Sequence, residues 1–459
     1  MPLTFASDES AAVAMHVIEN KGLDNWLNRQ SDQIAAWVRS TGFTGSLGET
    51  LLVPSGSGEI AMVLAGYGSV EKRARGRFHL AHAAVKLPEG AYAIKGLDAS
   101  RASEESLGWL LASYAFDQYR EKKSARAQLV APDGVDAGRM EAIAAGECLT
   151  RDLINTPACD MGPSGLEAAC ARLAEEFGAD IKVVKGEELL SENFPMIHMV
   201  GRAAEQKPRL VEMRWGDSGP SLTLVGKGVC FDTGGLNLKP TSAMALMKKD
   251  MGGAATVLGL ARMIMDIGLK LKLRVLIPAV ENSVGGNAFR PGDIIRARNG
   301  LTVEINNTDA EGRLVVGDAL ACGAEEKPDL IISMATLTGA ARIAVGADIA
   351  PYFTDDGLLA EALDKAGGAV ADPVWRMPFH APYEKLIEPD IADLDNAPRG
   401  GMAGAITAAL FLRRFASDVR YAHFDIYGWS AGNGPAIPKG GAGQGARALL
   451  EALPETLGL

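Results

Sequence analysis

Two glycine-rich segments carry acids and cations at short intervals: Val225-Gly-Lys-Gly-Val-Cys-Phe-Asp-Thr-Gly-Gly-Leu-Asn-Leu-Lys-Pro240 and Asn307-Thr-Asp-Ala-Glu-Gly-Arg-Leu314, with Lys248-Lys-Asp-Met-Gly-Gly253 between them. They supply Asp232, Asp250, Asp309 and Glu311 beside Lys227, Lys239 and Arg313. Oxygen-rich clusters of this kind suit divalent cations such as Mg²⁺, Mn²⁺ or Zn²⁺, and two ions a few ångströms apart would share bridging carboxylates. No histidine lies in these segments. That favours a carboxylate-dominated site over a histidine-rich zinc site, without excluding zinc. Asp309, Glu311 and Arg313 stand at i, i+2 and i+4, so an extended backbone would aim all three to one side. Gly312 would then permit a sharp turn into a helical run starting at Leu314.

Taken singly, these residues read blandly: Asp232 and Asp309 as turn caps, Lys248 and Lys249 on a solvated face, Lys227 as a strand-end surface lysine. The set reads differently. Glycines beside acids at the ends of buried strands imply close backbone approach to a ligand.

The elements that must position these groups follow an α/β pattern. In the first ~150 residues, 51–54 and 59–66 read as strands. Residues 104–120 place Leu107, Leu110, Leu111, Tyr114 and Ala115 at helical spacing. A long helix over 136–154 ends near Asn155-Thr156-Pro157, where the proline disfavours helical geometry before it. The domain boundary falls there, giving a smaller N-terminal α/β domain (1–150) and a larger catalytic α/β domain (151–459) with a mixed, mostly parallel, helix-covered sheet. Strands are expected at 221–226, 273–280, 302–306, 330–335 and 421–426. Four of them run into polar or glycine-rich ends at Lys227-Gly228, Glu281-Asn282, Asn307-Thr308-Asp309 and Thr336-Leu337-Thr338-Gly339. Ligands gather beyond the carboxyl ends of strands in open α/β sheets, so these ends could share one pocket.

Composition narrows the function classes. A chain of 459 residues with 47% hydrophobic and 22% charged residues folds as a globular protein of more than one core. The net charge of −11 works against nucleic acid and anionic lipid. Five cysteines (Cys148, Cys159, Cys170, Cys230, Cys322) without CxxC spacing indicate neither a disulfide framework nor a zinc knuckle, and fit a reducing cytoplasm. The N-terminal stretch lacks the basic start and apolar run of a secretory leader. Residues 253–268, the most apolar helical candidate, contain Arg262 and Asp266 and are too short to span a bilayer. Other signals are weaker. Gly441-Ala-Gly-Gln-Gly445 follows an irregular stretch rather than a strand, Gly226-Lys-Gly228 lacks P-loop spacing, and His423, His198 and Cys230 read as packed residues.

The acidic segments resemble those of the leucyl aminopeptidase, or cytosol aminopeptidase, family. Asn307–Leu314 matches that family's signature octapeptide without a change, and the intervals from Lys227 to Asp232, Lys239, Asp250 and Asp309 reproduce its arrangement. The resemblance extends from Arg151-Asp-Leu-Ile-Asn-Thr-Pro157 through Ala422-His-Phe-Asp425 and is weaker before residue 150. It implies a metal-dependent aminopeptidase that releases the N-terminal residue of peptides through a metal-bridging hydroxide. Lys227, Asp232, Asp250 and Glu311 would hold one ion, and Asp232, Asp309 and Glu311 the other, as Mn²⁺ or Zn²⁺, with Mg²⁺ or Co²⁺ as alternatives. Lys239 and Arg313 would be the catalytic pair, with bicarbonate at Arg313 as general base. Met247, Asn307, Thr336 and Gly339 would line a substrate pocket favouring leucine-like or methionine-like residues. The resemblance further implies a homohexamer. Tyr427 departs from the family pattern, where alanine is usual, and so bears on side-chain preference. Two other functions compete: a DNA-binding regulatory role, against which the acidic balance weighs, and a catalytically silent scaffold, against which the intact Lys239 and Arg313 weigh.

Overall fold

The computed structural model describes residues 3–7, 11–122, 125–416 and 418–459, so part of the stretch read for a leader lies outside the described residues. The chain forms two compact units, one of residues 1–148 with 431–439, the other of 149–430 with 440–459.

The first unit is built on strands β1 (Val13–Glu19), β2 (Thr50–Pro54), β3 (Ile60–Gly68), β4 (Gly90–Lys95) and β5 (Ala127–Leu129), in the order β2-β3-β1-β4-β5. All neighbours are parallel except β2 with β3. Val38, Val53 and Leu64 fill one side of its core. The helix expected over 104–120 runs instead over Ala99–Ala112. Its start is fixed by Asp98, whose carboxylate accepts the Ser100 N–H at 2.8 Å. Its end tightens, with Ser113 N–H bonding to Leu110 O and Tyr114 N–H to Leu111 O, so Tyr114 and Ala115 fall beyond it.

The second unit is organised by a nine-stranded mixed sheet. Its strands are β6 (Asp180–Lys185), β7 (Arg209–Trp215), β8 (Ser221–Gly226), β9 (Gly228–Asp232) and β10 (Lys272–Asn282), then β13 (Leu330–Ala335), β14 (Ala350–Thr354), β15 (Val374–Met377) and β17 (Tyr421–Asp425). The order is β15-β14-β17-β13-β8-β10-β7-β6, with β9 pairing β10. The central run β17-β13-β8-β10 is parallel, and the antiparallel pairs lie outside it. The strand expected at 302–306 is shorter and lies elsewhere. Residues Thr302–Glu304 (β12) pair with Ile294–Arg296 (β11) and Leu394–Asp395 (β16) in a separate small sheet. Val303 and Ile305 are drawn there because they bury against the apolar core that includes Leu314, Val315 and Leu394.

Helices cover both faces of the central strands. One is Gly252–Ile267, buried along nearly its whole length. Its first turn lies hard against the sheet: a side chain at Gly253 would overlap the Met334 carbonyl, and one at Gly226 would reach 2.5 Å from Ala254 Cα. Only glycine allows that approach. It delivers Asp250, two residues before the helix, to the ends of β8 and β13. The opposite face is packed by Gly312–Ala324 and Gly404–Arg413, through Leu314, Val315 and Leu320 with Leu410 and Phe411.

Candidate active site

Strand β8 ends one residue before Lys227, β9 ends on Asp232, and the 3₁₀ turn Met247–Met251 carries Asp250. Asp309 and Glu311 arrive differently from the extended segment expected. Ala310 N–H bonds to Asn307 O at 3.2 Å, closing a turn, and Glu311 is the helical N-cap of Gly312–Ala324. The octapeptide is therefore a turn running into a helix, with Arg313 in the first helical turn. Gly312 has no special backbone angle. Its hydrogen faces the Lys227 side chain so closely that a methyl group would overlap Lys227 Cε and Nζ.

Carboxylate oxygens of Asp232, Asp309 and Glu311 lie within 4.8 Å of one another. Lys227 Nζ is 2.7 Å from Asp250 Oδ2 and 3.0 Å from Glu311 Oε1, and its ammonium donates to Thr336 O at 3.2 Å. Lys239 Nζ is 2.8 Å from Asp232 Oδ2 and also pairs with Asp309 Oδ1. Four acids from three separate segments and both lysines thus share one largely buried cluster. Even so, Glu311 Oε2 is buried without a hydrogen-bond donor among the described residues, and Asp250 Oδ2, Asp309 Oδ1 and Glu311 Oε1 are met only by the lysine ammoniums. Oxygens at ion-pair distance but without directed donors are a charge arrangement that fits cations. Burial, reinforced by neighbouring acids, pushes the Asp232 carboxyl up to about 6 and that of Glu311 up to about 8. Burial alone would lower Lys227, but Asp250, Glu311 and Asp232 outweigh it and hold the ammonium above its usual range.

Arg313 makes no ion pair among the described residues, though Glu311, Asp425 and Asp395 lie near enough to act on its charge. It is 8% exposed, lies over the Phe411 ring at 6.0 Å, and its Nε has no acceptor. Burial lowers its pKa to about 10. A buried guanidinium with no ion pair among the described residues, beside a helix N-terminus, is an anion-seeking group.

Several residues hold the site in roles that the sequence did not assign, although Asn282, Thr308 and Thr338 stood at the strand ends expected to share one pocket. Asn282, at the end of β10, donates to Asp232 Oδ1 (2.9 Å) and to Thr308 O (3.0 Å). The Thr308 hydroxyl donates to Gly234 O and accepts from Asn237 N–H. Asp425 accepts from Leu337 N–H, Thr338 N–H and the Thr338 hydroxyl, fixing the loop between Thr336 and Gly339. Gln444 Oε1 accepts from Tyr427 N–H and Gly428 N–H. The signal available was position: Asn282 and Asp425 end strands beside the acids. Of the residues expected to line a pocket, Thr336 donates to Asp250 Oδ1 at 2.9 Å, Asn307 Oδ1 accepts from Asp309 N–H, Met247 is buried, and Gly339 opens the helix Gly339–Val345. Lys249 is not on a solvated face; it is 4% exposed, and burial pulls its ammonium down to about 8. His423 is a core residue, bonded to Ser333 and lowered to about 3 by burial.

Two α/β units, the larger holding buried acids and lysines at the carboxyl ends of parallel strands, define a metal-dependent exopeptidase when set beside known proteins. Residues 148–450 match the cytosol aminopeptidase family catalytic domain, and residues 13–132 the M17 aminopeptidase N-terminal domain. The crystal structure of the cytosol aminopeptidase from Coxiella burnetii superposes with a TM-score of 0.94 at 41% identity, covering 100% of both chains. The bottromycin maturation enzyme BotP in complex with Mn superposes with a TM-score of 0.86 at 31% identity, over 97% of this chain and 99% of that one. A probable cytosol aminopeptidase of Syntrophotalea carbinolica is 37% identical over 451 residues, 91% of this chain and 90% of its own. The chain belongs to the cytosol aminopeptidase family and is a metal-dependent aminopeptidase of that type. Among the described residues no helix is long and apolar enough to cross a membrane.

Proposed function

We propose that the enzyme removes single N-terminal residues from peptides with two divalent ions held by Lys227, Asp232, Asp250, Asp309 and Glu311, Asp232 and Glu311 serving both. One observation carries this reading: four acids converge in one cluster where, among the described residues, only lysine ammoniums meet Glu311 and its Oε2 has no hydrogen-bond donor. When bound, the ions supply Lewis acidity and an activated water, with Mn²⁺ or Zn²⁺ favoured over Mg²⁺ or Co²⁺. The lysine ammoniums now occupying the cluster stand in for that charge. With cations held among the same acids, Lys227 would be the group that gives up a proton and offers its neutral amine as a ligand.

Lys239 is assigned to the carbonyl oxygen of the scissile bond, where its ammonium meets developing negative charge. Arg313 is assigned to bicarbonate, which would take up the proton of the attacking water; the unpaired Nε supports an anion there. The free α-amine of the substrate is recognised by the cluster, and an internal peptide bond offers no such group. Met247, Asn307, Thr336 and Gly339 line the side-chain pocket. Residues 151–459 carry the chemistry, and residues 1–150 serve assembly into a homohexamer. Five cysteines without CxxC spacing fit work in the cytoplasm, and the charge of −11 disfavours a nucleic-acid partner. Exhaustive chelation followed by titration with Mn²⁺ tests the reading: activity on a leucine anilide should vanish and return at two ions per chain. Full activity after chelation, or recovery complete at one ion, would overturn it.

A further inference from the structure

Lys249 is a buried lysine, near Asp250 and Asp425 but bonded to neither. Among the described residues its ammonium makes no hydrogen bond and no ion pair. What it faces is the ring of Tyr427, 4.6 Å from the ring centre. The guanidinium carbon of Arg342 lies 5.3 Å from the same centre, and Arg342 likewise has no carboxylate partner among the described residues. The acids closest along the chain and across the sheet are already engaged: Asp250 by Lys227 and Thr336, Asp425 by Leu337 and Thr338. A cation–ring contact contributes about 0.5–2 kcal/mol. Leaving a buried ammonium otherwise unpaired costs more than that, so Lys249, with the exposed Arg342 beside the same ring, can be completed by an anion arriving from the Arg342 side.

The place matters as much as the charge. Lys249 directly precedes Asp250. Arg342 stands three residues after Gly339, on the same helical face. A side chain at Gly339 would meet nothing within 4 Å, so that face is open. Tyr427 is held in position by Gln444, and Gly428 beside it packs on Thr336. The two cations and the ring therefore border the wall already assigned to the side chain of the departing residue.

We propose that Lys249, Arg342 and Tyr427 form a subsite for a carboxylate on the N-terminal side chain, so that the enzyme releases glutamate and aspartate as well as apolar residues. The inference rests on the aminopeptidase reading above and extends its pocket. The ring of Tyr427 keeps both cations in place, and the carboxylate enters between them on the open side of Gly339. Glutamate and glutamine have the same shape, so their ratio isolates the charge.

The test measures kcat/KM of the full-length, metal-loaded enzyme on glutamate, glutamine, aspartate, asparagine, leucine and methionine p-nitroanilides. The glutamate-to-glutamine ratio should exceed ten in the wild type. It should fall at least tenfold in Lys249→Met, fall less in Arg342→Met, and largely return in Lys249→Arg. Cleavage of leucine and methionine with a wild-type glutamate-to-glutamine ratio at or below one would remove the subsite while leaving the aminopeptidase reading intact. Equal losses on glutamate, glutamine and leucine in Lys249→Met would show a structural role instead and overturn the proposal. No turnover on any substrate after metal loading would bring down the aminopeptidase reading itself.

Discussion

Asn282 donates its side-chain amide to Asp232 Oδ1 at 2.9 Å, and thereby turns Asp232 Oδ2 toward Lys239. The same amide donates to Thr308 O, tying the end of β10 to the turn that carries Asp309. Groups that orient ligands typically contribute about 10–100-fold in metal affinity. Asn282→Ala should therefore raise the free Mn²⁺ needed for half-maximal activity by about that factor, with kcat at saturating metal much less affected. Competition with a calibrated chelator measures it, and an unchanged metal affinity would mean that Asp232 needs no such support.

The two lysines of the cluster should separate cleanly. Lys227→Met is expected to lose occupancy of one ion, and high metal concentration should restore part of the activity. Lys239→Met should keep both ions and lose turnover, by about 10²–10³ in kcat, the usual effect of removing a donor to a developing oxyanion. Elemental analysis alongside kcat decides between them. Metal lost in Lys239→Met and kept in Lys227→Met would reverse the assignment.

Strands β8 and β13 were legible to the residue because they are short, apolar and bounded by turn residues, which local pattern reports well. The acids were legible because unusual residue types cluster within short segments. The geometry joining them was not. Spacing made Asp309, Glu311 and Arg313 look like one face of an extended chain, but the Asn307–Ala310 turn and the helix begun by Gly312 place Arg313 over the Phe411 ring. Lys249 looked solvated because a lysine beside another lysine usually is. Its burial is decided by Tyr427, almost two hundred residues away, and a local reading has no access to that pairing.

Asp425 illustrates a residue whose effect should be on positioning alone. Its carboxylate satisfies Leu337 N–H and Thr338 N–H, so Asp425→Ala leaves two backbone donors without acceptors, at about 1–3 kcal/mol each. The loop from Thr336 to Gly339 should loosen. We expect KM for a leucine anilide to rise at least several-fold while metal content by elemental analysis stays at the wild-type value. A variant that loses metal with KM unchanged would place Asp425 among the groups that hold the ions.

The first unit contains its own pH-sensitive group. Glu105 is fully buried in the helix Ala99–Ala112, accepting from the Tyr67 hydroxyl at 2.8 Å and Leu80 N–H at 2.7 Å. Burial raises its carboxyl from 4.5 to about 7, against the lowering effect of those two bonds. Below about 4.5 the group is protonated whether the unit is folded or not. Between about 4.5 and 7 the unfolded chain gives up the proton and the folded one retains it, so stability falls as pH rises through this window and levels off above it. The total effect is up to about 3 kcal/mol. Glu105→Gln removes the titration and offers one acceptor oxygen; the Tyr67 hydroxyl can rotate to accept from the new amide. The full-length protein equilibrated in urea at pH 5, 6, 7 and 8, then pulse-labelled with deuterium at one fixed pH, reports the midpoint for peptides from residues 99–112. That midpoint should drop from pH 5 to pH 7 in the wild type and stay nearly level in Glu105→Gln. The same slope in both proteins would show that Glu105 does not set it.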